Sequence, residues 1–211
     1  MNIGIPSDKI LVIRNDIDLE QFFPKKISRA ELKIPEDKVV ALFAGDIKTS
    51  RKNLETVLQS LLHVPSLYLV VLGSIEGSPC PKMAAKLRVS DRTSFLGYRQ
   101  VISRIMKAVD IFVFPSRYEP YGLVILEVLA SGLPVITTKS VGASELITPE
   151  CGVLLQDPDD VEELASSMHK ICTDKFLRSN MSKAARSIAE EHSCSRVTHN
   201  YLKLAKEISA C

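Results

Sequence analysis

Residues 112–136 read FVFPSRYEPYGLVILEVLASGLPVI. A short apolar run, 110–114, is followed by a polar turn holding Glu119 and Gly122, and then by a segment that is apolar almost all round. Only Glu127 interrupts that segment. The pattern predicts a strand, a turn and a helix beginning near Gly122. A helix start presents unpaired N–H groups and the positive end of a dipole. Gly122, having no side chain, lets a ligand approach the backbone. The amides of Gly122, Leu123 and Val124 therefore form a ready cradle for phosphate or sugar oxygens, although a glycine here also serves as a plain turn residue. Glu127 falls between Leu123 and Val124 around the helix, one turn from its start. An ionised carboxylate in apolar surroundings is costly unless partnered. Either nearby backbone or a basic side chain supplies the partner, or the hydroxyls of a sugar or ribose do.

Working outward, strand and helix signals alternate. The run 39–44 is continuously apolar and meets Gly45, as a buried parallel strand does. Residues 53–62 carry Leu54, Val57, Leu58, Leu61 and Leu62 at helical spacing. Strands are expected at 67–72, 93–96, 111–114, 134–137 and 152–155, and helices at 81–87, 101–108 and 123–130. After Asp157-Pro158-Asp159-Asp160, a helix-start cluster, the chain reads as helical, with segments at 161–171, 176–190 and 197–208. The first 37 residues hold an apolar run at 10–13, a polar cluster and a helical turn at 28–32. The expected organisation is a lead-in and hinge over 1–37, a Rossmann-like domain over 38–191 and a terminal helix over 192–211. Such alternation implies an α/β fold, a parallel sheet with helices on both faces. Ligands bind such sheets beyond the carboxyl ends of the strands. Gly45 onward, Gly73, Gly97-Tyr98-Arg99 and 116–122 all lie there, and Lys48, Arg51 and Lys52 can reach an anion or be solvated surface bases.

The 211 residues are 45% hydrophobic and 25% charged, with a formal net charge of +2. That is an ordinary globular composition, and any anion site must come from local placement rather than bulk charge. No nucleic-acid partner is expected. Five cysteines without a C-x-x-C pair fit reduced thiols and a cytoplasmic protein. His192, Cys194 and His199 have no recognised metal spacing. No apolar run approaches the roughly 18 residues of a membrane span.

Four blocks carry a resemblance. They are Glu119 to Glu127 with Val128-Leu129-Ala130-Ser131-Gly132-Leu133-Pro134-Val135, then Val141 to Ile147 followed by Gly152 to Leu155, then Phe43-Ala44-Gly45 with Arg51-Lys52-Asn53-Leu54, and lastly Val12 to Asp18. Together they resemble the carboxyl-terminal, nucleotide-sugar-binding half of a family-four retaining glycosyltransferase of the two-Rossmann-domain (GT-B) architecture. The likeness runs from about Ile10 to Ile208, and the paired-Glu block is its most specific part. The resemblance implies that Lys52 binds the donor diphosphate and Glu119 the sugar hydroxyls, these two being the catalytic candidates. Gly45, Lys48, Arg51 and Tyr121 belong to the donor site. Gly122, Leu123 and Val124 offer main-chain N–H groups, Glu127 holds the ribose, and main chain around Leu96, Gly97 and Tyr98 meets the base. The donor is a UDP- or GDP-sugar, and neither metal nor other cofactor is expected.

Three positions depart from the family pattern. Asp46 stands where an arginine is usual, leaving Lys48 or Arg51 to supply a second positive charge. Asp16 replaces the hinge glycine, and Cys194 a tryptophan. Against that family pattern the amino-terminal, acceptor-binding domain is expected to be missing, with only its exit segment, about residues 2–13, present here. The implied activity is the donor half of a hexosyltransferase, inactive by itself, acting on a lipid or glycan acceptor, with a cytoplasmic location that includes the cytoplasmic membrane face as a peripheral option. A non-catalytic nucleotide-binding or regulatory module is the alternative.

Overall fold

The computed structural model describes residue 4, residue 6 and residues 9–209. Cys211 and residues 2, 3, 5, 7 and 8 of the exit segment lie outside the described residues. Six strands form one sheet: β1 (Val39–Ala44), β2 (Leu67–Leu72), β3 (Thr93–Gly97), β4 (Ile111–Phe114), β5 (Val135–Thr138) and β6 (Gly152–Leu155). Every pairing is parallel, and the spatial order is β3-β2-β1-β4-β5-β6. The continuous apolar runs are explained by burial on both faces: β4 is buried throughout, and β1 at every residue after Val39. The helices are α1 (Leu54–Ser60), α2 (Cys80–Lys86), α3 (Ile102–Met106), α4 (Leu123–Ala130), α5 (Val161–Thr173), α6 (Lys175–Glu190) and α7 (Cys194–Ser209). Helix α1 packs with α2 and α5, and α4 with α6, covering the sheet as the alternation implied.

The order of strands reverses between β1 and β4. Chain leaving β1 turns toward β2, whereas chain leaving β4 turns toward β5, so the two loops part and open a crevice at their carboxyl ends. Local sequence explains both ends of α4. Gly122 caps its start at φ +89°, a conformation that a side chain would strain. At its finish, Leu133 N–H bonds the Val128 carbonyl at 3.0 Å and Gly132 N–H the Leu129 carbonyl at 2.9 Å, which is the Schellman arrangement.

Elements differ from expectation mainly at their ends. The 53–62 helix is α1 followed by a 3-10 turn, Leu61–His63, and the 101–108 helix shortens to α3. The expected turn at 28–32 is a 3-10 turn, Ala30–Leu32, and the last helix begins three residues earlier than its apolar stripe. The lead-in is partly built into the body: Ile17, Phe22, Arg29 and Ile34 are buried. Ile17 bridges to Ser193 and takes the His192 carbonyl at 3.0 Å. Arg29 is anchored by the carbonyls of Ala108, Pro35 and Lys38 and by Asp110. Burial pushes the Asp110 carboxyl up. Lys26, the Val40 N–H and Arg29 outweigh it and hold the group below the usual carboxylate range. Ile10, Leu11 and Val12, by contrast, are exposed. Among the described residues no helix is long and apolar enough to cross a membrane.

Candidate functional site

A groove of about 480 Å³ lies at the crevice between β1 and β4. It is lined by Ala44 and Gly45 after β1, by Lys52, by Phe114 ending β4, by the turn Glu119–Gly122, by Leu123 and Val124 opening α4, and by Asn15 from the lead-in. Lys52 is the central charge. Its side chain is 8% exposed and touches the carboxylate of Glu119, itself 20% exposed. The ammonium also lies 5.1 Å from the centre of the Phe114 ring. Burial, and then the charge of Arg51, pull the Lys52 ammonium below the ordinary lysine range, with Asp46 opposing. Lys52 is thus poorly solvated, and Glu119 is the counter-charge it contacts.

The loops that hold this pair are stitched to each other. Arg117 N–H and the Ser116 hydroxyl both bond the Arg51 carbonyl, at 2.9 and 3.2 Å, fixing the loop after β1 against the loop after β4. Asn53, wholly buried at φ 63°, bonds the Pro158 carbonyl and the Thr56 hydroxyl and turns the chain from Lys52 into α1. On the far side, Glu119 N–H bonds the Ser140 carbonyl, Gly142 N–H the Glu119 carbonyl and Ala143 N–H the Tyr121 carbonyl. Gly142 is required sterically, since a Cβ there would lie 2.2 Å from the Pro120 oxygen. The turn that carries Glu119 is therefore held on both flanks.

Above it, Leu123 and Val124 present the first N–H groups of α4 to the groove. Glu127 stands one turn further along, roughly 6 Å by helix rise. It is half-buried, and burial alone raises its carboxyl above the usual range. No described residue gives it a hydrogen bond or an ion pair, so the backbone-or-base partner that the sequence left open is not found. The face of α4 carrying Leu123, Val124 and Glu127 is its least covered one. Glu127 does not line the groove around Lys52.

The remaining positions fall into two groups. Lys48 and Arg51 are exposed and stand outside the groove, whereas Asp46 is occupied within its own loop, accepting from Lys48 N–H at 2.9 Å and the Thr49 hydroxyl at 3.0 Å. Those contacts keep the Asp46 carboxyl low, the Lys48 N–H contributing most. Leu96, Gly97 and Tyr98 lie at the end of β3, two strands from β1 and so about 10 Å away. Tyr98 is 77% exposed there. Four lining residues, Asn15, Ala44, Phe114 and Pro120, were not among the sequence candidates. Asn15, Ala44 and Pro120 lay within the resembling blocks without being assigned a role, and Phe114 had a signal as the last residue of a strand at the binding edge.

Beside Asn15 is a polar cluster. Arg14 and Glu145 pair at 2.7 Å. The Tyr121 hydroxyl is covered and lies toward the Asn15 main chain without a well-formed hydrogen bond. Burial, then the Glu145 charge, raise that phenol, and burial, then Arg14, lower the nearby His192.

Comparison with known proteins bears on the fold and the family. Residues 24–188 match the family described as "Glycosyl transferases group 1". The lipopolysaccharide core biosynthesis glycosyltransferase LpsE of Rhizobium meliloti (strain 1021) is 32% identical over 180 residues, 84% of this chain and 53% of that protein. The sucrose-phosphate synthase structure from Thermosynechococcus elongatus is 26% identical with a TM-score of 0.84, over 94% of this chain and 52% of that one. Anabaena HepE, solved in complex with UDP and glucose, shares the fold at 24% identity and a TM-score of 0.80, over 99% and 59%. The chain spans about half the length of the curated relatives it matches. With the parallel six-stranded sheet, the match over most of its length means that this chain belongs to the glycosyl transferases group 1 family.

Proposed function

We propose that this chain is the donor-binding half of a retaining glycosyltransferase, its acceptor-binding half lying outside residues 1–211. The observation that carries this reading is the groove itself, where a buried lysine and the open start of α4 face one space at the sheet's switch point. A donor diphosphate placed there meets the Lys52 ammonium and the N–H groups of Leu123 and Val124. These are fixed donors that stabilise negative charge as the sugar–phosphate bond breaks, without need of a metal. Binding an anion at Lys52 loosens its hold on Glu119, and the freed carboxylate is then placed to accept hydroxyls of the sugar. Glu127, half-buried and unpartnered, accepts the ribose hydroxyls. The base extends toward Gly97 and Tyr98, a separation of about 10 Å across β2 that suits a nucleoside diphosphate. That HepE, of the same fold, was solved with UDP makes UDP the first probe.

In the whole enzyme the anomeric carbon exchanges its bond to the diphosphate for one to an acceptor hydroxyl oxygen, with its configuration kept, and the nucleoside diphosphate leaves with the hydroxyl's proton. Acceptor groups come from the other half, so this chain alone binds donor and transfers nothing. The test is thermal unfolding with UDP, GDP and their sugar conjugates, for the parent and for Glu127→Ala. One family of nucleotides should raise Tm in the parent and much less in the variant. Absence of any shift, or equal shifts in both proteins, overturns the assignment.

A further inference from the structure

On the sheet edge opposite that groove, a cavity of about 430 Å³ opens between residues 24–26, the turns leading into β4 and β5, and the first two turns of α6. Lys25, Lys26, Lys107, Lys175 and Arg178 line it against one carboxylate, Asp110. This local excess of four positive charges sits on a chain of formal net charge +2, so the rest of the molecule is net negative. Asp110 does little to neutralise the cavity. One of its oxygens is taken by the buried Arg29 and the Val40 N–H, the other by Lys26.

The bases differ in how far they are committed. Arg178 caps α5 through the carbonyls of Ile171 and Cys172, Lys26 also bonds the Val109 carbonyl, and Lys107 lies over the Phe23 ring at 3.7 Å. Lys25 and Lys175 are exposed and have no hydrogen bond or ion pair among the described residues. Lys175 is the first residue of α6, where a cation opposes the helix dipole, and the first turn holds no acid. The preceding Asp174 is used in capping the Leu177 N–H at 2.8 Å. Stability therefore gives no reason for a lysine at this point, whereas an anion seated beside it would. Ser179 and Ser182 continue the same face of α6 into the cavity, exposed Pro24 gives it an apolar wall, and the buried Met106, Val109 and Leu133 close its base.

The geometry points to a second binding site here, for a phosphate group carried on an apolar body, separate from the donor groove. Two sources share that chemistry: a free alkyl phosphate and the phosphate headgroup of a lipid.

The test follows amide NMR shifts of Gly132, Ser179 and Ser182 in the 211-residue chain, titrated with inorganic phosphate and with a soluble alkyl phosphate. Both should perturb these amides saturably, the alkyl phosphate more tightly because of the apolar wall at Pro24, and added salt should weaken both. Lys52→Met should leave this binding unchanged. The double variant Lys25→Glu/Lys175→Glu should weaken it by about tenfold or more while unfolding at a Tm no lower than the parent's. Sedimentation with phosphatidylcholine vesicles, with and without phosphatidic acid, separates the sources. Phosphatidic-acid-dependent binding that the double variant loses assigns the lipid, and saturable alkyl-phosphate binding without sedimentation assigns the free ligand. No saturable shift at these amides, or equal affinity in parent and double variant, overturns the proposal.

Discussion

Replacing Lys52 by methionine separates what holds the groove together from what the groove binds. Methionine keeps the unbranched stem that packs against Gly45 and Phe114 but removes the charge. Glu119 then loses the cation it touches while its side chain remains only 20% exposed. Breaking a fully buried pair by removing one partner costs about 3–5 kcal/mol. Because Glu119 keeps some access to water, a loss of about 2–3 kcal/mol is expected, the cation–π contact with Phe114 included. For a domain of this size that lowers Tm by about 4–12 °C. The double variant Lys52→Met/Glu119→Gln carries no unpaired charge and should recover at least about half of the loss. Urea unfolding of the parent, both single variants and the double variant gives the coupling directly. Nucleotide binding should be absent in Lys52→Met and stay absent in the double variant, since its stability returns without its ammonium. A Lys52→Met protein within about 0.5 kcal/mol of the parent, or a double variant no more stable than Lys52→Met, would refute the view that this pair is a buried, mutually dependent unit.

Other perturbations follow from the same geometry. Glu127 has its carboxyl raised by burial. On raising pH the unfolded carboxyl ionises first, the folded state holds the extra proton, and stability falls between the ordinary value and the raised one. Glu127→Gln removes that slope, so its Tm relative to the parent should be higher at neutral pH than below about pH 4, measured by calorimetry at both. Gly142→Ala drives a methyl into the Pro120 carbonyl and should cost about 3 kcal/mol while weakening nucleotide protection. The control Gly77→Ala, at φ +74° with nothing within 4 Å, should cost only about 1–2 kcal/mol and leave binding intact. Asp110 has the opposite sign of shift from Glu127. Its contribution is full above the ordinary carboxylate range and lost as pH falls through its lowered value. Asp110→Asn should therefore destabilise by about 2–3 kcal/mol at neutral pH and flatten the acid limb of the stability profile, with Arg29 left buried without its counter-charge.

Much of this molecule was legible from residue order alone, because the signals concerned are local. Buried parallel strands must be apolar on both faces, so 39–44, 67–72 and 111–114 announced themselves. The start of α4 followed from Gly122, where the backbone conformation itself demands a glycine. The family resemblance rested on the same local blocks, and the match over 24–188 agrees with it. Other features required the folded chain. Periodicity could not give the strand order, and so could not say that the loops after β1 and β4 part to form the crevice. Of three neighbouring bases, Lys48, Arg51 and Lys52, only Lys52 enters the groove, because the buried Asn53 sets the direction of the loop. Its contact with Glu119, the arrival of Asn15 from the lead-in and the lack, among the described residues, of any partner for Glu127 are relations between segments far apart in sequence. Sequence by itself determined which pieces form and where they stop, since backbone geometry and burial pattern act over a few residues. Only tertiary structure decided which charges meet and which stay unpaired, since desolvation and contact depend on every element that closes around a group.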